Sequence, residues 1–115
     1  LDHCGNPGIR DGAFQPWADH INALARRPNV AVKISGISAP NAPASWTVED
    51  LAPYVNHLLE VFGFGRLVWG GDWPVVTLGS SLSTWVAATQ ALLSGVSAED
   101  KALLFAVNAK RIWRI

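Results

Sequence analysis

The chain has 115 residues, of which 50% are hydrophobic and 16% charged, and its nine basic and nine acidic side chains cancel. This composition is too apolar for a disordered segment, and it can supply the core of a single domain spanning residues 1–115. A neutral chain with no basic run longer than Arg26-Arg27 argues against a nucleic-acid partner, and the lack of any apolar run of about 18 residues argues against a membrane span.

Hydrophobic spacing and turn residues predict an alternation of strands and helices. In chain order they predict the end of a strand at residues 1–3, a helix over 14–27, a strand over 30–36, a helix over 47–62, a strand over 66–72, a helix over 82–93 and a last helix from 97 onward. Strands separated by helix-length segments are typical of βαβ units and of a parallel sheet. The sequence therefore predicts an α/β fold.

The strand over 66–72 ends in a single acid, Asp72, preceded by two glycines and followed by a Trp-Pro pair. The period of two places Val68, Gly70 and Asp72 on one narrow face, which suits a cavity, and leaves a bulky face for covering helices. Because α/β folds carry catalytic residues at the carboxyl ends of their strands, Asp72 is a candidate catalytic acid. The alternative is that Asp72 caps the turn that follows the strand.

His3 holds the equivalent position at the end of the first predicted strand. In a barrel of parallel strands these ends meet at one mouth, so His3 and Asp72 would face the same substrate. Together they offer proton transfer, metal ligation or both, although a lone histidine can also be a buried residue with a backbone partner. The chain has no His-x-His, His-x-x-x-His or Cys-x-x-Cys pair, so it does not assemble a complete metal site by itself. The other histidines, His20 and His57, fall on helices away from any strand tip, where a surface or edge position is expected.

Three further side chains are candidates for substrate binding. Lys33 interrupts the apolar strand over 30–36, so it either meets an anion in a polar cavity or extends its stem to an acid or to water at the rim. Trp46 closes the Pro- and Ser-rich loop 37–46 and is either a pocket wall or a local anchor. Trp73 lies beside the strand-tip acid. The same three residues would also serve a non-catalytic α/β domain that binds a small acid.

The chain also carries several short motifs in a fixed order over essentially its whole length. They are Leu1-Asp2-His3-Cys4-Gly5-Asn6-Pro7, Pro28-Asn29-Val30, Lys33-Ile34-Ser35-Gly36, Phe62-Gly63, Arg66-Leu67-Val68-Trp69-Gly70-Gly71-Asp72-Trp73-Pro74 and Asn108-Ala109. In this combination they resemble the C-terminal part of the amidohydrolase superfamily, most closely the amidohydrolase-2 branch of TIM-barrel metal-dependent hydrolases, which includes lactonases. Where that family commonly has Gly-Ser-Asp before the Trp-Pro pair, this chain has Gly70-Gly71-Asp72.

The resemblance implies strands six to eight of a TIM barrel, as three βα units followed by a C-terminal helix. It implies that Asp72, on strand eight, activates the hydrolytic water or binds a metal, and that His3, on strand six, ligates the metal or polarises the substrate. Lys33 would lie on strand seven. The implied cofactor is a divalent metal such as zinc. Members of this branch differ in whether they depend on a metal. The implied reaction is hydrolysis of a lactone or a related ester or amide, with a metal-dependent decarboxylase of the same superfamily as the alternative.

The chain has no methionine and opens inside a predicted strand, so we expect it to be the C-terminal fragment of a longer protein. Three strands of a barrel would expose sheet edges and an apolar face, so we expect the isolated chain to be inactive and either poorly soluble or homo-oligomeric. Robust lactone hydrolysis by a monomer of these 115 residues would contradict that expectation. The single cysteine, Cys4, cannot form an internal disulfide, which fits a cytoplasmic location. The expected partner is a small-molecule substrate.

Overall fold

The computed structural model describes residues 1–39 and 42–115 and shows an α/β arrangement. The regular elements are strands β1 (Val32–Ile34) and β2 (Leu67–Trp69) and helices α1 (Trp17–Ala25), α2 (Val48–Phe62), α3 (Leu82–Leu92), α4 (Ala98–Ala102) and α5 (Asn108–Trp113). Pro40 and Asn41, which belong to the loop predicted after β1, lie outside the described residues. Within the described part, none of the helices combines the length and the apolar character that a membrane crossing requires.

The two strands are parallel neighbours, as the sequence predicted. Their register pairs Val32 with Leu67, Lys33 with Val68 and Ile34 with Trp69. Parallel strands cannot be joined by a tight hairpin, and α2 supplies the long crossover between them. This arrangement brings the carboxyl ends of β1 and β2 to the same edge.

The first predicted strand forms only in part. The amino group of Leu1 donates a hydrogen bond to the Ala31 carbonyl at 2.7 Å, and the Leu1 carbonyl accepts one from the Lys33 amide at 2.9 Å. The chain then turns at His3–Gly5, where the Gly5 amide donates to the Asp2 carbonyl at 2.9 Å. Because a strand needs a continued ladder, the strand predicted at residues 1–3 is corrected to one residue that pairs beside β1 and a turn that follows it.

The two faces of the sheet have different surroundings. On the outer face, Val32, Ile34 and Leu67 are buried in the main hydrophobic core that the helices complete. The opposite, inner face carries Lys33 of β1 and Ser35, which follows β1 directly. A Cβ added at Gly70 would lie 3.2 Å from the side chains of both residues. The predicted contrast between a narrow inner face and a bulky outer face is therefore present.

Two tryptophans fix the covering helix α3 to the outer face. The rings of Trp69 and Trp85 stack with centroids 6.3 Å apart and an interplanar angle of 14°. The Trp85 indole N–H donates to the Gly70 carbonyl at 2.9 Å, and the Trp69 indole N–H donates to the Thr89 hydroxyl at 3.0 Å. Each ring thus buries its apolar body while its polar atom keeps a partner.

Local signals in the sequence set the helix ends. α2 follows Thr47, whose amide donates to the Asp50 carboxylate at 2.8 Å, and it ends at Gly63, which has a φ of 66°. α3 follows Ser81, whose hydroxyl accepts from the Thr84 amide, and α4 follows Ser97 in the same way. The starts predicted at Thr47 and Ser97 are confirmed, because these bonds satisfy amides that a helix N-terminus leaves free.

The last predicted helix is continuous but not uniform. α4 passes into a π-helical segment, Leu103–Val107, and then into α5. At the junction, the buried Asn108 amide donates to the Phe64 carbonyl at 2.6 Å and to the Leu67 carbonyl at 2.8 Å. This side chain therefore ties the C-terminal helices to the start of β2.

His57 corrects the expectation of a surface position. Its ring is half-buried on α2 and contacts Phe14 and Trp17, with centroids 5.3 and 5.5 Å away. Its Nε2 atom is buried and has no hydrogen-bond partner among the described residues. The packing of α1 against α2 creates this environment, whereas His20 on α1 is exposed as expected.

Candidate functional site

The structure brings His3 and Asp72 together at the carboxyl edge of the sheet. His3 opens the turn beside the tip of β1, and Asp72 follows the end of β2. The Nδ1 atom of His3 lies 3.8 Å from the Oδ1 atom of Asp72, and the two side chains are 36% and 15% exposed. Both side chains are therefore partly accessible to solvent at the same edge of the sheet.

Both residues have backbone angles that side-chain-bearing residues rarely adopt. The φ of His3 is 50° and that of Asp72 is 55°. Left-handed conformations of this kind cost roughly 1–3 kcal/mol each at residues other than glycine, and they occur preferentially at functional sites. The turns hold these angles through backbone bonds, since the Asn6 amide donates to the His3 carbonyl at 2.8 Å and the Val76 amide to the Asp72 carbonyl at 2.8 Å.

Two residues at the end of β1 complete the surroundings of the His3 ring. The Ser35 hydroxyl lies 3.0 Å from His3 Nδ1 and is fully buried. Gly36 has a φ of 69°, and a Cβ at this position would overlap the ring of His3. Neither Ser35 nor Gly36 was predicted from the sequence to belong to the site. The sequence feature that could have identified them is the Ser-Gly pair at the end of a predicted strand, where Ser35 shares a face with Lys33.

Cys4 lies next to His3 in the chain but offers no reactive thiolate. Its side chain is fully buried, and its thiol donates to the Ser35 carbonyl at 3.9 Å. Burial raises the pKa of the Cys4 thiol to about 12. The thiol therefore stays protonated at neutral pH, which suits neither a nucleophile nor a metal ligand.

Lys33 reaches an acid at the rim, which is one of the two alternatives that the sequence left open. Its ammonium group lies 3.1 Å from the carboxylate of Asp2. The hydrogen bond from Lys33 and the charge of its ammonium group lower the pKa of Asp2. Because the Asp2 carboxylate is exposed, solvent screens this pair and its contribution to stability is small.

The two tryptophans proposed to bind substrate occupy different places. Trp73, next to Asp72, is 72% exposed at the edge of the site. Trp46 lines a groove of about 460 Å³ together with residues of α3 and its preceding loop, including Ser80, Thr84 and Ala88. Neither His3 nor Asp72 lines that groove, so the structure groups Trp73 with the strand tips and places Trp46 apart from them.

His3 and Asp72 are two side chains at this edge of the sheet that could bind a metal ion. Zinc takes nitrogen, oxygen and sulfur ligands from three or four protein side chains. His3 and Asp72 are suitable donors at a separation of 3.8 Å, but the described residues contain no group of three or more His, Cys, Asp or Glu side chains that could hold a metal. His3 and Asp72 alone therefore do not form a zinc site.

The sequence is similar to that of known lactone hydrolases. A sequence profile described as "Amidohydrolase" matches residues 1–115. An L-fucono-1,5-lactonase of Burkholderia ambifaria is 32% identical over 119 residues, which cover 100% of this chain and 41% of the lactonase. A 4-sulfomuconolactone hydrolase of Hydrogenophaga intermedia is 32% identical over 76 residues, which cover 64% of this chain and 24% of that enzyme.

The fold agrees with these sequence similarities. A crystal structure of an amidohydrolase from Burkholderia multivorans with bound zinc superposes with a TM-score of 0.92 at 28% identity, covering 100% of this chain and 43% of that one. The chain spans only 38% to 42% of the three relatives that match it over its full length. The shared part contains both strand tips described above.

Proposed function

The chain belongs to the amidohydrolase family, and from this premise we propose that it is part of a hydrolase that opens a lactone with a water molecule activated by Asp72. The observation that carries the proposal is the approach of His3 and Asp72 to 3.8 Å, each in a left-handed backbone conformation at the same sheet edge. Two similar proteins, the L-fucono-1,5-lactonase and the 4-sulfomuconolactone hydrolase, act on lactones by name, which supports this substrate class.

The two side chains divide the chemistry of hydrolysis. The Asp72 carboxylate accepts a proton from water while the water oxygen attacks the carbonyl carbon of the lactone. A hydrogen bond from the His3 ring to the carbonyl oxygen stabilises the negative charge that develops there. The ring C–O bond then breaks, and the leaving oxygen takes the proton from Asp72, so that a lactone and a water molecule give one hydroxy acid.

We propose that the catalytic unit is a TIM barrel in which these residues supply strands six to eight. The parallel pair β1–β2, the additional pairing of Leu1 and the helical crossovers support this placement. The face with Lys33 and Gly70 lies apart from the main core, which leaves room for the interior side chains that the other strands of a barrel would supply. The coverage of about two fifths of the relatives fits a fragment of such a barrel.

We propose a metal role only as an alternative to the hydrogen bond from His3 to the substrate. In that alternative the His3 ring would bind a zinc-type ion together with Asp72, and the remaining ligands would come from residues other than those described. The amidohydrolase of Burkholderia multivorans with bound zinc supports metal use in similar proteins. When bound, such an ion would polarise the substrate carbonyl or the attacking water.

The test of the proposal is Asp72→Asn in the natural protein, assayed with a panel of sugar lactones and carboxylated lactones. Removal of the base should lower kcat by roughly a thousandfold, the middle of the range for general base catalysis, with an unchanged circular dichroism spectrum. Asp19→Asn, at an exposed acid of α1, is the matched control and should retain full activity. Full turnover by the Asp72→Asn variant would refute the assignment.

The same panel separates the proposal from its alternatives. A decarboxylase of the same superfamily would release carbon dioxide from a carboxylated substrate, whereas lactone opening releases none. A non-catalytic domain that binds a small acid requires His3 and Asp72 to serve structure alone. A wide separation of the two side chains, or positions at opposite ends of the sheet, would have favoured that reading, and their approach to 3.8 Å at one edge argues against it.

A further inference from the structure

The Ser35 hydroxyl has a single place for its proton. It is fully buried, and its one hydrogen-bond partner among the described residues is His3 Nδ1 at 3.0 Å. A buried hydroxyl that donates no hydrogen bond loses the stabilisation that water would have given it. The imidazole nitrogen can accept that proton only when it carries none itself.

The position of the His3 ring is fixed closely enough for this bond to matter. Gly36 lies against the ring where any side chain would overlap it, and its φ of 69° suits glycine. The Asp72 carboxylate is 3.8 Å from the same Nδ1 atom, beyond hydrogen-bond distance. Ser35 is therefore the nearer polar neighbour of Nδ1.

We propose that Ser35 is a positioning residue that donates its hydroxyl proton to His3 Nδ1 and so holds the neutral imidazole with its own proton on Nε2. The Nε2 atom has no hydrogen bond within the described part of the chain and belongs to a ring that is 36% exposed. It is thus the donor for the substrate carbonyl, and Asp72 stays free for the water proton. This role rests on the proposed function, whereas the proton position does not.

Nitrogen NMR of the metal-free natural protein labelled with 15N-histidine tests the proton position directly. Because the chain has three histidines, the His3 signals are assigned by their loss in His3→Gln. We expect the proton of neutral His3 on Nε2. Ser35→Ala should move it toward Nδ1, because the Asp72 carboxylate is then the remaining polar neighbour. Ser38→Ala, at another buried serine of the same segment, should leave the His3 signals unchanged.

Kinetics test the positioning role. Ser35→Ala should lower kcat by about tenfold with little change in KM, as expected for one hydrogen bond that acts through another residue. Ser35→Thr keeps the hydroxyl and should restore both kcat and the proton on Nε2. An unchanged kcat in Ser35→Ala would overturn the positioning role, and a wild-type protein with the proton on Nδ1 would overturn the assignment.

The two proposals fail in different ways. If no lactone is hydrolysed but Ser35→Ala still moves the proton, the proposed function fails and the Ser35–His3 bond stands. If lactones are hydrolysed and the proton position ignores Ser35, the hydrolase stands and the Ser35 proposal is overturned.

Discussion

On the outer face of the sheet, Val32 and Ile34 are each 1% exposed and Leu67 is fully buried, whereas the inner face and its rim keep Lys33 and His3 about one third exposed. The same strands thus present packed aliphatic side chains to the helices, whereas their other face carries the polar Lys33 and Ser35 beside the buried Val68. We therefore expect the outer face to contribute most to stability and the inner rim to carry the proposed chemistry. Substitutions on the outer side should act on folding, and those at the inner rim on activity.

The largest expected effect is on the outer side, at Trp85. Trp85→Ala removes a fully buried ring and leaves the Gly70 carbonyl without its indole partner, so we expect a loss of about 3–5 kcal/mol in the free energy of unfolding. Urea unfolding measures this loss. Val86→Ala, at the next residue of α3 with 39% exposure, should change the free energy of unfolding by about 0.5 kcal/mol or less. If Val68→Ala on the inner face were as costly as Trp85→Ala, the division between the faces would be wrong.

The second prediction concerns Gly36, where a side chain should cause both backbone strain and a loss of activity. Gly36→Ala and Gly12→Ala each place a side chain at a positive φ, of 69° and 63°, and should each destabilise the protein by about 1–2 kcal/mol. Gly36→Ala also displaces the His3 ring, whereas no atom of the described residues lies within 4 Å of a Cβ at Gly12. A misplaced catalytic group can cost about a hundredfold in rate, so kcat/KM should fall by that factor only in Gly36→Ala. Equal activities of the two variants would contradict the role of Gly36.

A smaller effect is expected at His57, a half-buried polar side chain in the apolar layer between α1 and α2. Its Nε2 atom is buried and has no hydrogen-bond partner in the part of the chain that the structure describes, so His57→Phe should raise the free energy of unfolding by about 1 kcal/mol. His20→Phe, at an exposed histidine of α1, provides the control and should give no gain. A clear loss of stability in His57→Phe would show that the imidazole makes a favourable interaction, and the apolar description of this layer would need revision.

The smallest effect concerns the ion pair of Lys33 and Asp2 on the inner face. Lys33 lowers the pKa of Asp2 from its ordinary value of 3.8, so the pair adds stability above that pH and loses it as the pH falls through the lowered pKa. Lys33→Met should therefore lower the melting temperature slightly near neutral pH at low salt. The difference from the wild type should vanish once the pH is well below the lowered pKa of Asp2, where its carboxyl group is protonated, and in concentrated salt. A difference that survives both conditions would show that Lys33 stabilises the fold by packing.

The sequence was sufficient for features that depend on neighbours in the chain. The start of α2 at Thr47 and its end at Gly63 follow from a capping side chain and from a residue that tolerates a positive φ. The facing of Leu67 toward the helices follows from the strand period of two. Each of these features is decided within a few residues, where stereochemistry leaves few options.

The features that escaped prediction depend on residues far apart in the chain. The bond between Ser35 and His3 spans 32 positions, and the groove at Trp46 needs α3 to form its other wall. The burial of His57 arises from rings on α1. The pairing of Leu1 without a full strand likewise depends on where the chain turns at His3. Local patterns carry no information about such encounters.

The hydrogen bonds of Asn108 can form only late in the synthesis of the chain. The Asn108 amide joins the Phe64 and Leu67 carbonyls, which lie 44 and 41 residues earlier in the chain. During translation, Asp72 leaves the ribosome well before Asn108, so these two hydrogen bonds can hold the start of β2 only after the last helix has been synthesised. A nascent chain, or one interrupted by a stop codon before residue 108, therefore has its acid but lacks the tie that fixes the start of that strand.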